Sequence, residues 1–341
     1  MKTETTSVSE EGPSGRALAA IRDDARPIVV VGAHGQSLFM HVAAIPAEGE
    51  TVVAHGYEET VDGGKATNQA VAAARLGAPV RFVSVVGNDE RGRRVLGYLD
   101  GQGIDRRWVE VADGPTDVGF VMLSPRHIPA IASCQDLSRL LDRQFVERAA
   151  GSLGGASVVV CELEAPPACA HAAFELAHSI GALTILNPAP AVPLPEGLLE
   201  LVDILVPNQH EAAIIVGREA PPGELADRLG SIAPWANIIV TAGEDGAYVA
   251  RAGGSSQHIA APRVEALDTT GAGDAFVGAL AACMRDGSSV LQAATFAVSA
   301  AALSVTRPGT LDAFATHEMV AASLGIATTQ EASKGRRPTR T

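Results

Sequence analysis

The sequence is poor in aromatic residues. Phe, Trp and Tyr together make up 4% of its 341 residues. So few rings leave little to stack on a base, which weighs against a nucleoside as the bound molecule. Cysteine is scarce too: Cys134, Cys161, Cys169 and Cys283 are scattered, with no C-x-x-C pair. That excludes a disulfide framework and reads as reduced, mostly buried thiols in a cytoplasmic protein. No apolar run approaches the roughly 20 residues that a membrane helix needs. The first eleven residues are polar and acidic, unlike the basic and apolar regions of a signal peptide. Positive charge is also short, with 26 Lys and Arg against 39 Asp and Glu, a net charge of −13. This argues against a nucleic-acid partner. An anionic ligand would need a local site rich in N–H groups or cations.

What the chain does contain is alternation. Pro27 to Gly32, Val80 to Val86, Ala156 to Cys161, Leu183 to Leu186, Ile204 to Val206 and Ile238 to Thr241 are short runs rich in Val, Ile and Leu. Helical stretches stand between them, among them Thr67 to Leu76 and Pro167 to Ile180. Such a pattern predicts a mostly parallel sheet covered by helices on both faces. No internal repeat and no Pro/Ser linker divides it, so residues 27–325 read as one domain. Residues 1–26 read as a flexible polar arm and residues 326–341 as a flexible basic tail. Residues 50–61 and 117–123 look like strands without crossover helices. They predict a small antiparallel flap over the C-terminal edge of the main sheet, where ligands bind in open α/β folds.

Four segments carry residues suited to chemistry. Leu267-Asp268-Thr269-Thr270-Gly271-Ala272-Gly273-Asp274-Ala275-Phe276 runs straight into a helical apolar pattern ending near Asp286-Gly287. Its small residues, Gly271, Ala272 and Gly273, stand at a helix N-terminus, where unpaired N–H groups and the helix dipole favour an anion. Asp274 reads there either as a capping residue or as a base taking a proton from an attacking hydroxyl. In Asp62-Gly63-Gly64-Lys65-Ala66-Thr67-Asn68, Lys65 and Asn68 stand three apart, able to face one ligand together. The segment is not a phosphate-binding loop of the Walker type, since no Ser or Thr follows the lysine. In Val206-Pro207-Asn208-Gln209-His210-Glu211, Asn208 and Glu211 are either a helix cap or ligands for phosphate oxygens and a hydrated Mg²⁺. Thr241-Ala242-Gly243-Glu244-Asp245-Gly246 is either a hairpin turn or a ledge for a nucleotide.

Together, and in this order, the four segments resemble the ribokinase-like (PfkB-type) carbohydrate kinases. Gly64-Lys65-x-x-Asn68 and Asp268-Thr269-x-Gly271-Ala272-Gly273-Asp274 are similar to that family's two signatures, and Asn187-Pro188-Ala189 falls where the family has it. The resemblance spans Ile28 to about Asp312. It implies a three-layer α/β sandwich with a mostly parallel central sheet and a small β lid. It also implies ATP-dependent phosphorylation of a primary hydroxyl of a small sugar, with ribose as the first expectation. On this resemblance Asp274 is the base, and the N–H groups of Gly271, Ala272 and Gly273 form the anion hole. Gly64, Lys65, Asn68, Glu164 and Ser37 hold the sugar. Asn208, Thr241, Gly243 and Gly246 hold the nucleotide, and Glu211 organises Mg²⁺. Asp268 with Thr270, Arg307 and Gly309 matches a site for a monovalent cation, K⁺. A homodimer joined through the flaps is implied as well.

The chain departs from that family at Gly32-Ala33-His34-Gly35-Gln36-Ser37, where ribokinases carry Gly-Ser-x-Asn-x-Asp. Ser37 stands for the sugar-gripping Asp and Gly35 for the Asn, leaving His34 or Gln36 to compensate. In the segment 125–133, His127 is either a substrate contact or a solvated loop residue. A ketose, a sugar acid or a nucleoside therefore stays open as the acceptor. A sugar- or nucleotide-binding protein without turnover is the rival of another class, disfavoured by the intact Asp274 and glycine run.

Overall fold

Four β-branched residues in a row, Ile28 to Val31, have no solvent-facing side. Such a run belongs in the middle of a sheet covered on both faces. In the computed structural model, which describes residues 26–61, 63–125, 129–251 and 254–326, these four form a fully buried strand. Their side chains alternate between the faces. Ile28 and Val30 join one apolar cluster, Val29 and Val31 the other.

The chain runs through β1 (Ile28–Val31), β2 (Gln36–His41), β3 (Gly56–Glu59), α1 (Lys65–Arg75), β4 (Val80–Gly87), α2 (Glu90–Gly101), β5 (Asp105–Ala112), β6 (Val118–Leu123) and β7 (Pro129–Cys134). It continues through α3 (Arg143–Arg148), β8 (Val158–Cys161), α4 (Pro167–Ser179), β9 (Leu183–Leu186), β10 (Ile204–Leu205), α5 (Gln209–Val216), α6 (Pro222–Ile232) and β11 (Asn237–Thr241). It ends with β12 (Ala247–Ala250), β13 (Gln257–Ile259), α7 (Ala272–Arg285), α8 (Val290–Ser304) and α9 (His317–Ser323).

Among the described residues, nine strands make the main sheet, in the order β13-β12-β11-β10-β9-β8-β1-β4-β5. From β11 to β5 every pairing is parallel, and only the β12 and β13 edge is antiparallel. Helices α1, α2, α7, α8 and α9 bury their apolar residues on one face. Helices α3, α4, α5 and α6 do so on the other, which completes the three-layer sandwich. Helix α1 starts at Lys65, one turn-fraction before the Thr67 that the sequence suggested, because Gly64 ends the preceding turn at φ 79.

The second sheet is the expected flap, with more strands than the sequence revealed. Its order is β3-β2-β6-β7. The outer pairs are antiparallel, while the central pair, β2 and β6, runs parallel. Of the segment 50–61 only Gly56–Glu59 is strand, paired with Leu38 to His41, while His55 and Thr60 at its ends add one N–H bond each to β2. The stretch 125–133 leads into β7. His127 lies outside the described residues, as do Asp62, nearly all of the expected N-terminal arm and the basic tail beyond residue 326.

Helices α1 and α7 approach closely. A Cβ on Gly278 of α7 would sit 2.6 Å from Ala72 Cβ and 2.7 Å from the Gln69 carbonyl oxygen. Small residues at a crossing let two helix backbones approach. Here the approach brings the N-terminal turns of both helices to one point at the sheet edge.

Candidate active site

That point lies beside a cavity of about 840 Å³ between the flap and the C-terminal edge of the sheet. The volume falls within the range of small-ligand sites. Gly64, Lys65, Asn68, Glu164, Ser37, Gly271 and Asp274 all line it, so the sequence-predicted acceptor residues and the candidate base meet in one space. Asp268 and Thr270 line it as well.

Gly271 is the N-cap of α7, in the left-handed region at φ 74. A side chain there would be strained, and its Cβ would lie 2.3 Å from Thr310 Cγ2. The first intrahelical bond is closed by Ala275 N–H on the Gly271 carbonyl, at 2.8 Å. The N–H groups before it are those that a helix start leaves without intrahelical partners. Ala272 N–H makes only a 3.3 Å contact with the Thr269 carbonyl. The geometry makes an N–H-rich, dipole-positive end suited to an anion.

Asp274 does not cap its helix. Its Oδ2 accepts from Asn68 Nδ2 at 2.8 Å and its Oδ1 from Gln69 Nε2 at 3.1 Å. The capping alternative is thereby removed, and a buried carboxylate is held at the cavity wall by two amides from α1. Lys65 sits beside it. The negative charge of Asp274, then those of Glu164 and Glu211, raise the Lys65 ammonium above the usual lysine range despite its burial. Glu164 accepts from the Lys65 backbone N–H at 2.7 Å. Burial pushes the Glu164 carboxyl up, against the pull of Lys65.

Behind Glu164 lies Glu162, 1% exposed. Its oxygens accept from the N–H groups of Ala33, at 2.8 Å, and Glu164. Burial, and then the neighbouring Glu164, raise it to about 8. It ties the end of β1 to the loop after β8. Sequence reasoning missed it, and it missed Gln69 as well. Their signals are single polar letters in apolar surroundings, which a helix or strand pattern hides.

The departure segment divides in two. His34 lines the cavity, is 2% exposed, and its Nδ1 is 2.9 Å from Thr67 Oγ1. Gln36 turns away from the cavity, and its amide donates to Glu59 Oε1 at 3.1 Å. Gln36 therefore cannot stand in for the missing carboxylate. Burial lowers His34 to about 4. An unfolded histidine titrates near 6.5, so between these values the unfolded chain binds a proton that the folded chain refuses. Stability is full above about pH 6.5 and falls towards pH 4, by about 3 kcal/mol from this group. Urea unfolding at pH 7 and pH 4.5 checks this: a His34→Gln variant loses less on acidification than the parent. An equal loss in both would remove His34 as the cause.

The second predicted set stands along the same sheet edge but does not line this cavity. Asn208 caps α5 in a capping box with Glu211, the bland alternative of the sequence reading. Glu211 Oε2 accepts from Asn208 N–H and Oε1 from Asn208 Nδ2, both at 2.8 Å. Burial raises the Glu211 carboxyl. Asn208 pairs with Thr241 across an isolated parallel bridge. Gly243 and Gly246 turn the hairpin between β11 and β12 through a short 3-10 turn, where Ala242 N–H donates to the Gly246 carbonyl. Asp268 works as a clasp: Oδ1 accepts from Thr270 N–H at 2.9 Å, and Oδ2 from Gly309 N–H at 3.0 Å. Arg307 lies two residues from that clasp and sends its guanidinium to Met319 Sδ at 3.3 Å.

Comparison with known proteins bears on this arrangement. The sequence pattern described as pfkB family carbohydrate kinase matches residues 26–316. A ribokinase of Schizosaccharomyces pombe is 32% identical over 296 residues, covering 83% of this chain and 92% of that one. A deoxyribokinase of Salmonella typhi is 33% identical over 296 residues, covering 84% and 95%. The structure of Arabidopsis thaliana ribokinase complexed with ribose and ATP superposes with a TM-score of 0.79 at 26% identity, covering 89% of this chain and 99% of that one.

Proposed function

We propose that this chain, which belongs to the pfkB family of carbohydrate kinases, transfers the γ-phosphoryl group of ATP to the primary hydroxyl of a pentose, D-ribose first. The observation that carries the reading is that Gly271 and Asp274, at the N-terminal end of α7, line one cavity with Lys65, Asn68 and Glu164. Asp274 takes the proton of the attacking hydroxyl, whose oxygen bonds to phosphorus as the bond to the ADP oxygen breaks. The N–H groups of Gly271, Ala272 and Gly273 stabilise the charge on the transferring group, the main demand of such a reaction. Gly64, Lys65, Asn68, Glu164 and Ser37 position the sugar, and Asn208, Thr241, Gly243 and Gly246 position the nucleotide.

Among the described residues, Asp117, Glu164, Asp268 and Asp274 line the cavity, against Lys65 as the one Lys or Arg. ATP needs its phosphate charge offset before it can enter such a field. Glu211 fits a role in holding Mg²⁺, since each of its oxygens is used once and keeps a lone-pair direction for a hard cation. Bound there, Mg²⁺ would neutralise phosphate charge. The Asp268 clasp gathers Thr270 and Gly309, which supports a K⁺ site formed with the Arg307 carbonyl. Tyr57, 62% exposed on the flap, suits a homodimer closed flap to flap. The four cysteines are unpaired, in keeping with the cytoplasm.

Ser37 favours a second acceptor. One hydroxyl cannot replace a carboxylate that accepts two sugar protons. A 2-deoxypentose, which offers one hydroxyl fewer, asks less of this wall, and the deoxyribokinase relative agrees with it. ADP release with Mg-ATP and K⁺, over ribose, 2-deoxyribose, ketoses, hexoses, sugar acids and nucleosides, decides. Turnover highest with a pentose is expected. A kcat/KM higher for a nucleoside or hexose would overturn the pentose assignment and keep the chemistry. No acceptor-dependent turnover with ATP still bound would favour a binding protein.

A further inference from the structure

Residues 68 and 69 are neighbours on a helix and should point about 100° apart at 3.6 residues per turn. Yet both reach the carboxylate of Asp274. Asn68 comes from the cavity side, since it lines the cavity. Gln69 does not line it and is 1% exposed, so it approaches Asp274 from behind. The close crossing at Gly278 makes this geometry possible, because the Gln69 backbone lies against α7.

The amide orientation of Gln69 follows from its partners. Asn187, just past β9, donates through Nδ2 to the Val206 carbonyl at 2.8 Å. A carbonyl only accepts, so Asn187 must present Oδ1 on its other side. Gln69 Nε2 donates to that Oδ1 at 3.0 Å, and its second hydrogen goes to Asp274 Oδ1. A flipped Gln69 would set an oxygen against two acceptors. The donor of each link is thus fixed: Asn187 donates to Val206, and Gln69 donates both to Asn187 and to Asp274. Gln69 Oε1 is left buried without a hydrogen-bond partner among the described residues. A buried acceptor without a partner is costly. Retaining it makes sense where the amide's other end has a task that an apolar residue could not perform.

We infer that Gln69 is a positioning residue for the base: held by Asn187, it fixes the Asp274 carboxylate in the orientation that accepts the sugar proton. The inference rests on the reading of Asp274 as base. Val206 directly precedes the Pro207-Asn208 segment, so the relay anchors the base to the start of the nucleotide side. Asp274 loses its rear hydrogen bond when Gln69 is replaced and keeps only that to Asn68, so its reacting oxygen wanders. Misplacement of a reacting group by about 1 Å is enough for on the order of a 100-fold loss.

The test is Gln69→Met, which keeps length and removes both donors. Expected are a kcat lower by about 10–100-fold, with KM for sugar and ATP unchanged within about twofold, and a melting temperature equal to or above the parent's. In an Asp274→Asn background the same change should cost less than about twofold, because the two residues act as a unit. Asn187→Ala reads the same relay if Gln69→Met does not fold, with a smaller fall in kcat at constant KM. A kcat equal to the parent's in either variant overturns the inference, as does an equal loss with and without Asp274. If Asp274→Asn is slow and Gln69→Met is not, the relay alone fails. If Asp274→Asn turns over like the parent, the reading of the base fails, and this inference with it.

Discussion

Asp274→Asn lowers kcat by about 10²–10⁴ while ATP and sugar still bind. The amide has the size of the carboxylate but cannot accept the hydroxyl proton. It also places a donor where Asn68 Nδ2 or Gln69 Nε2 already donates. One of the three amides must then turn or lose its bond. The residual rate comes from positioning and from the N–H groups at the start of α7, which the substitution leaves in place. Steady-state kinetics with isothermal titration of ATP on the same variant checks this. A fall in kcat with an unchanged nucleotide Kd is the expected result. A variant that has lost both would show that Asp274 holds the fold of the site and not the proton.

The second large effect separates chemistry from stability at two glycines of one turn. Gly271→Val forces a branched residue to φ 74 and drives its Cβ to 2.3 Å from Thr310 Cγ2, so it unfolds at lower denaturant, by about 1–3 kcal/mol. At Gly273 a Cβ would meet nothing within 4 Å, and the backbone is not left-handed. Gly273→Val therefore keeps parental stability. Its methyl groups stand in front of the N–H groups proposed to receive the phosphoryl group, and kcat falls by about 10²–10³, the scale of losing one such donor. Urea unfolding and turnover, measured on both variants, check the pair. If Gly273→Val is stable and fully active, the α7 terminus does not receive the phosphoryl group.

Much of the fold could be read from the sequence, for a physical reason. Strands buried on both faces are continuous apolar runs, and β9 matches Leu183–Leu186 residue for residue. Strands buried on one face are harder. In β2, Ser37 and Phe39 to His41 are half-exposed, and in β7 a proline opens a run of small residues, so neither announces itself. Residues 50–55 carry strand-forming Thr and Val, yet only His55 reaches a strand, through its N–H to the His41 carbonyl. The site divides in the same way. Gly64, Gly271 and Asp274 stand out because tight turns next to helix starts restrict residue type. Gln69 and Asn187 are 118 residues apart, and their hydrogen bond exists only once β9 and α1 have been brought together. That Asp274 does not cap its helix likewise shows only in the direction of its carboxylate, which no local pattern encodes.

The central claim is that a γ-phosphoryl group moves to a primary sugar hydroxyl at the Asp274 wall. Phosphorus NMR of a reaction of the protein with Mg-ATP and ribose reads that bond directly. The account predicts a new phosphomonoester resonance split by the two protons of a CH₂ group, growing in step with ADP and lost in Asp274→Asn. A spectrum showing only ADP and inorganic phosphate, or no change in ATP for any pentose, would contradict it.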